Sequence, residues 1–517
     1  MILKNYNVLK QNDVAIQERK TPVESVNAHT SSYRNIFKAT SLFGGVQVYI
    51  ILIQIIKSKV IAVLLGPLGV GIQGLYQSAI DLIKQATSFG LSQSAVRDVA
   101  EANGTDDNYQ ISRTVTILRK IVWFTGTLGL VAIIAFSPLL SKVSFGNKEY
   151  IWSFIILSVI LLFDQLSAGQ KVILQGMRQL KDLAKATAIG ITVSLVVSLP
   201  LYYLFGVDGI VPAMVLTAGA SLLVSWFYSR KIVVDKIKLT PKEIFSGGKT
   251  MMVMGISMSI SGVMTMGAAY LIRSLLRKWG GIDEVGLFQA GFVIVNSYVG
   301  LVFNAITTDY YPRLASVNKD DEKCCDVASK QGVISVYMLA PLLSICILLM
   351  PIVIKILYSE QFLASDCFIK WACLGMMFRL ASWLVSYIFI AKAESKLFVV
   401  NELVGTFNYL WISLLGYKLG GLSGMGVAFT VNYFMYFCQV FLVSHHRYHF
   451  FFTREFLRTF WIQLGLVALC LVAVSCFSGV YKYVTGSVFA IMSTVHALKG
   501  MNNKVGLRAF FQSRFHR

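Results

Sequence analysis

The chain has 517 residues, 56% of them hydrophobic and only 14% charged, with a formal net charge of +21. A soluble domain carries about 25% charged residues, and the apolar runs here are long and continuous, not roughly ten-residue alternating segments, so a soluble protein and a membrane β-barrel are both excluded. There is no C-x-x-C among the eight cysteines and no P-loop, G-x-S-x-G or H-E-x-x-H, so no zinc site, redox pair, cofactor or enzyme signature is expected.

Residues 1–35 are polar, mixed in charge and without the apolar core of a cleavable signal peptide; they read as a cytoplasmic extension. From residue 36 the hydropathy pattern predicts spans at 37–65, 69–96, 115–140, 150–176, 183–205 and 209–229. A basic cytoplasmic linker follows at 230–249. Further spans are expected at 250–275, 285–311, 331–357, 366–391, 396–417 and 422–444, then an extra pair at 456–478 and 483–498, and a basic tail at 499–517. The last span is short and also suits an interfacial segment. The expected fold class is an all-α polytopic membrane protein with 14 transmembrane helices, twelve being the alternative. Residues 36–229 and 250–444 would form two pseudo-symmetric six-helix bundles around a central cationic cavity, with 445–498 as extra helices. Placing the N-terminus in the cytoplasm puts about 33 Lys and Arg on that side, about 8 outside and 6 within spans, which orients both termini inward.

Those six intramembrane cations are Lys57, Lys59, Lys84, Lys171, Arg273 and Arg379. Facing lipid they would cost on the order of 15–20 kcal/mol together, so a shared polar cavity and an anionic cargo are expected. In span one, Gln47, Gln54 and Ser58 share a face flanked by Lys57 and Lys59, and Lys59 is within snorkelling reach of the outer surface. In span two, Gln77, Asp81, Lys84, Gln85 and Ser88 form a polar stripe. Asp81 and Lys84 there suit either a local ion pair at i, i+3 or a cargo-binding lysine with a tuning carboxylate. Span four repeats the spacing with Asp164, Ser167, Lys171 and Gln175, and Lys171 reads as close to the cytoplasmic headgroups. Arg379 is about thirteen residues from one end of span ten and cannot easily snorkel, so it is the strongest cavity candidate. Asp309 and Arg313 flank Pro312 at the end of span eight. His445, His446 and His449 lie in a basic aromatic loop without a carboxylate and read as interfacial, not as metal ligands.

Two stretches carry a family pattern: KVIAVLLGPLGVGIQGLYQ (59–77) with FGLSQSAVRDVAEA (89–102), and LIRSLLRKWGGIDEVGLFQAGFVIVNSYVGLVFNAITTDYYPRLAS (271–316). They resemble the polysaccharide (O-antigen type) flippases of the multidrug/oligosaccharidyl-lipid/polysaccharide exporter superfamily. The layout resembles that family over nearly the whole chain from residue 36. The resemblance implies a V-shaped pair of six-helix bundles working by alternating access. It implies no enzyme activity, a bacterial inner-membrane location, an undecaprenyl-diphosphate-linked oligosaccharide as cargo, and polysaccharide polymerase machinery as partner. Lys59, Arg273 and Arg313 match basic positions of the pattern. The expected diphosphate site is Lys59, Lys84, Arg273 and Arg379, with Asp81, Asp164 and Asp309 as coupling or tuning groups. The long N-terminal extension and the spans after residue 450 depart from the shorter members. A cation-coupled multidrug exporter is the alternative, although cationic drugs would prefer an acidic cavity. A membrane polymerase or glycosyltransferase is a third reading, disfavoured because no large extramembrane loop exists.

Overall fold

The computed structural model describes residues 22–105, 107–235 and 237–505, with side chains from Val46 onward except at scattered positions, Asp309 among them. The described residues are helical almost throughout, as a chain must be where lipid offers its backbone no hydrogen-bond partners. In chain order the helices are α1 Pro22–Thr87, α2 Leu91–Gly104, α3 Asn108–Phe145, α4 Ile151–Gly176, α5 Leu180–Phe205, α6 Ile210–Ser229 and α7 Pro241–Gly280. They continue with α8 Ile282–Val293, α9 Leu301–Ser316, α10 Asp321–Leu357, α11 Asp366–Ala391, α12 Ser395–Tyr448, α13 Arg454–Cys476 and α14 Gly479–Val505.

Nine stretches among the described residues are long and apolar enough to cross a membrane, and three of these are of double length: Val46–Thr87, Leu180–Ser229 and Ser395–Tyr448. Each of the three turns back partway. In α1 the turn is Gly66, at φ 63 and ψ −169, followed by Pro67. Glycine takes that dihedral without a Cβ clash, and proline can start a helix but not continue one. Gly206–Gly209 makes the turn between α5 and α6, and Gly420–Gly421 breaks α12. Counting these as pairs, and adding α8–α9 and α14, gives fourteen crossings, the number expected from hydropathy. The last of them is a 27-residue helix of about 40 Å, fully long enough to span.

Short turns at Gly66, Gly146, Gly206, Gly281, Gly421 and Gly479 all have positive φ, and alternation of direction puts them at one end of the bundle, here called the glycine-turn end. The opposite, basic end carries the connections at Arg178, Lys231–Thr240 and His449.

Helices α1, α3, α4, α5 and α6 pack together, and α10 to α14 form a second group joined by α7, which packs on α12, and by α8 and α9. The extra pair docks on α10: Gly486 lies against Leu348, and Gly500 against Tyr337. Between α13 and α14 the buried Gln463 donates to the Ser493 carbonyl and accepts from the Ser493 hydroxyl at 2.6 Å. Satisfying both amide groups internally is what makes a glutamine tolerable at that depth.

The two groups meet mainly at the glycine-turn end. There α1 and α8 touch backbone to backbone: a Cβ on Gly71 would lie 2.2 Å from the Ile282 oxygen, and one on Gly286 1.9 Å from the Pro67 oxygen. Ser144 bonds Tyr270 at 2.8 Å, and Arg277 donates to the Val143 carbonyl at 3.3 Å. Towards the basic end, α9 packs on α10 and α11 rather than on α1. Helix α7 leans on α3 there, with Gly247 against Ile117 and Gly248 against Ile121. The interior space between α1 and α9 is therefore closed at the glycine-turn end.

Candidate functional site

The polar stripe of the second span in α1 faces the interior. Gln77 donates to Asp81 at 2.9 Å. Lys84 does not pair with Asp81, as the i, i+3 spacing had suggested; its Nζ reaches across to Asp164 on α4 at 2.6 Å. Three residues turn a helix by about 300°, so the two side chains point some 60° apart, and α4 lies on the lysine's side. The Lys84 and Asp164 side chains remain 35% and 28% exposed. At that exposure the pair contributes ~1 kcal/mol or less.

Lys57 donates to the Ser194 hydroxyl on α5 at 2.9 Å. Lys57, Asp164 and Lys171 line one cavity of about 480 Å³ together with Gln54, Gln73 and Gln77. Lys57 thus faces the interior, and so does Lys171, which stands at the level of the basic-end headgroups as its place in span four suggests. Lys57 is nine residues before the Gly66 turn, about 13 Å down the axis, and Lys171 shares the inward face of α4 with Asp164. A second space of about 310 Å³ adjoins the first: Gln54, Lys57, Gln73 and Gln77 line both, with Gln289, Val293 and Ser297 on its far wall.

The other group of helices contributes two arginines. Arg273 on α7 is buried, donating from Nε to Gln289 and from Nη1 to the Ala269 carbonyl, both at 2.9 Å. Its guanidinium stands 5.3 Å from the Phe292 ring. Arg379 on α11 donates to Asn296 at 2.6 Å and lies over Phe303 and Tyr433, 5.6 and 5.3 Å from the ring centres. Neither arginine is hydrogen-bonded to a carboxylate in the described contacts, so each keeps its charge available. Tyr409 on α12 lies in the field of both arginines, and Asp81 in that of Lys84, Asp164 and Arg273. Asp81 thus links the charges of the two groups. Glu402 accepts from the Tyr436 hydroxyl at 2.5 Å and feels the charge of Arg379.

Several of these groups escaped sequence reading. Asn296 is presented by a π-helical turn, Ile294–Val299, between α8 and α9. Such turns re-aim side chains and are common at functional sites. Gln289 lay in plain view inside GLFQA, and Glu402 and Tyr409 belong to a span whose apolar pattern hid them.

Lys59 is not brought to this set. Its Nζ donates to the Tyr358 carbonyl and, at 2.7 Å, to that of Lys355, capping the end of α10 at the glycine-turn end. Arg313 is exposed in the last turn of α9, and the Asp309 side chain lies outside the described residues. His445 bonds the Phe450 carbonyl and stacks on Phe441, holding the aromatic turn between α12 and α13. Cys324 and Cys325 are buried near the start of α10.

The arrangement is a cationic, amide-lined space shared by two helix groups and closed at one end, suited to an anion with polar substituents. Comparisons with known proteins agree with its architecture. The Lipid III flippase of Escherichia coli (strain K12) is 23% identical over 413 residues, covering 76% of this chain and 95% of that protein, and the Lipid III flippase of Shigella flexneri matches to the same extent. A multidrug resistance MATE family transporter of the MOP superfamily, solved in an inward-facing conformation, superposes with a TM-score of 0.66 at 14% identity, over 77% of this chain and 94% of its own. The lipid II flippase MurJ in an inward closed conformation gives 0.61 at 11% identity, over 84% and 97%. At such identities the two structures establish a shared fold. The family described as "Polysaccharide biosynthesis protein" matches residues 60–366, more than half of the chain. The protein is a multi-pass membrane protein that belongs to this polysaccharide biosynthesis family.

Proposed function

We propose that the protein is a flippase that moves an undecaprenyl-diphosphate-linked oligosaccharide, an O-antigen or related repeat unit, from the cytoplasmic to the periplasmic leaflet of the inner membrane. The observation that supports this reading is the set of intramembrane cations from both helix groups that line the amide-lined space or bond to residues in or beside its wall. The positive-inside rule assigns the basic end, with both chain termini, to the cytoplasm. Lys84, Arg273 and Arg379 then receive the diphosphate through charge-assisted hydrogen bonds. Glutamines 54, 73, 77 and 289 offer donors and acceptors to the sugars, and the polyprenyl tail stays in lipid. Rocking of residues 36–229 against 250–444 exposes the site to the other face. Lys59 joins the site only in a state that has released its carbonyl partners on α10. Asp81, Asp164 and Asp309 are the groups proposed for ion or proton coupling. On this reading the chain breaks no covalent bond, and a polysaccharide polymerase takes its product.

A second reading, a cation-coupled multidrug exporter, draws support from the carboxylates Asp81, Asp164 and Glu402 beside the cavity and from the MATE-like fold. The test is complementation of a flippase-deficient strain at matched expression. Lys84→Ala and Arg379→Ala are expected to abolish surface polysaccharide; full restoration by both variants would remove the cationic site. Uptake of a cationic dye into inverted vesicles would favour the exporter.

A further inference from the structure

We propose that the protein holds an anionic glycerophospholipid of the basic-end leaflet in a groove on the outside of its first helix group, between α3, α4 and α6. This groove, about 750 Å³, is separate from the central space and is lined by Arg119, Gln170 and Arg230 beside Trp123, Trp226 and Leu223.

Depth identifies the layer. The hydrocarbon core is about 30 Å thick, or about 20 helical residues. Counted from the glycine-turn end, that thickness is used up near residue 125 of α3, residue 171 of α4 and residue 230 of α6. Gln170 and Arg230 therefore sit at the core boundary, and Arg119 about 9 Å beyond it, among headgroups. Trp123 stands about 3 Å beyond the boundary and Trp226 about 6 Å inside it, 53% and 48% exposed, in the zone where indoles favour the interface. Leu223 extends the groove downwards into the acyl region, 66% exposed.

Charge identifies the ligand. Half-buried Arg119 has no hydrogen-bond or ion-pair partner among the described contacts, and Arg230 is held by Trp226 and Phe227, its Cζ 4.9 and 4.6 Å from their ring centres. The nearby carboxylate, Asp182, faces Lys231 instead, at 3.9 Å. Two guanidinium groups, an amide and two indoles around an apolar trough fit a phosphodiester headgroup with its acyl chains below. The undecaprenyl carrier would present its diphosphate to the central space, which this groove does not join.

The test uses the full chain purified in detergent and titrated with dibrominated phosphatidylglycerol or with phosphatidylcholine carrying the same brominated chains, with quenching of tryptophan fluorescence as readout. Each basic residue near an anionic lipid surface is worth about a fivefold gain, so the pair should favour phosphatidylglycerol about thirtyfold. The quenching at low lipid should disappear in Trp123→Phe/Trp226→Phe. The preference should disappear in Arg119→Gln/Arg230→Gln and survive in Lys120→Gln, which changes an exposed neighbour. Inorganic phosphate at millimolar concentration should not relieve the quenching. Equal quenching by both lipids, a preference retained by the double glutamine variant, or relief by phosphate alone would each overturn the proposal.

Discussion

Replacing Gly286 by alanine tests the closure at the glycine-turn end. The added Cβ would lie 1.9 Å from the Pro67 oxygen and 2.7 Å from its carbon, both backbone atoms with no rotamer to change. Ordinary contact begins near 3.5 Å, so α1 and α8 must part by about 1.5 Å. Overpacking of this kind costs about 1–3 kcal/mol. The cost falls only on the state in which the two helices touch, so it shifts the conformational equilibrium about 5- to 150-fold towards opening at that end. The assay is a single cysteine at Ser297, which lines the space behind the contact, in a chain whose eight native cysteines have been replaced. A membrane-impermeant maleimide applied from the glycine-turn side should label Gly286→Ala several-fold faster than its parent. Gly420→Ala is the control, because a Cβ there meets nothing within 4 Å. Labelling of Gly286→Ala at the parental rate, or equal acceleration by Gly420→Ala, would refute the seal.

Lys59→Met should act in the same direction, because it removes donors to two carbonyls of α10, with charged hydrogen bonds worth about 1.5–3 kcal/mol each. Lys59→Arg should largely restore slow labelling of the Ser297 cysteine; unchanged labelling in Lys59→Met means that the cap is not a latch. Gln463→Leu should lower thermal stability in detergent, because it strips the buried Ser493 of its partner at a cost of about 1–3 kcal/mol; an unaltered melting temperature would contradict this. At the exposed start of α7, the backbone N–H and hydroxyl of Thr240 hold the Glu243 carboxyl below its usual range. A lowered folded-state pKa means that this cap contributes above the ordinary glutamate range and is lost as pH falls through the lowered value. Amide exchange over residues 241–248 should therefore speed up beyond its intrinsic pH trend on acidification, and Thr240→Ala should abolish that excess.

What could be read from the sequence follows from what local pattern encodes. Hydropathy counted the crossings correctly because each one must be apolar over its whole length, and even the merged helices turn where a glycine or proline stands, at Gly66–Pro67 and Gly420–Gly421. Helical spacing assigned Gln77, Asp81 and Lys84 to one face. It could not supply a partner from another helix, and so it offered Asp81 for Lys84 where tertiary packing supplies Asp164. Depth along a single span placed Lys59 near one surface but could not say which way each lysine faces. Lys59 and Lys57 are two residues apart, yet one caps a neighbouring helix and the other faces the cavity, because side chains two apart point about 160° away from each other. Asn296 depends on a π-helical turn, which follows no periodic signal.

The charges around the central space can be weighed against the proposed cargo. Lys57, Lys171 and Asp164 line it, and Lys84, Arg273, Arg379, Asp81 and Glu402 stand behind that lining, tied to it through Asp164, Gln289, Asn296, Gln77 and Arg379. With all eight ionised the described groups leave a surplus of two positive charges, the charge that a diphosphate diester brings. In a space of low dielectric a matched ligand is favoured over either a neutral or a more highly charged one. This balance separates two roles for Lys84. Lys84→Ala lowers the surplus to one and Asp164→Asn raises it to three, whereas Lys84→Met with Asp164→Asn leaves it at two. If overall balance governs transport, the double variant should recover surface polysaccharide that each single variant loses. If Lys84 itself contacts phosphate, the double variant stays as inactive as Lys84→Ala. Recovery by Asp164→Asn alone at full level would instead argue that the cavity does not measure charge at all.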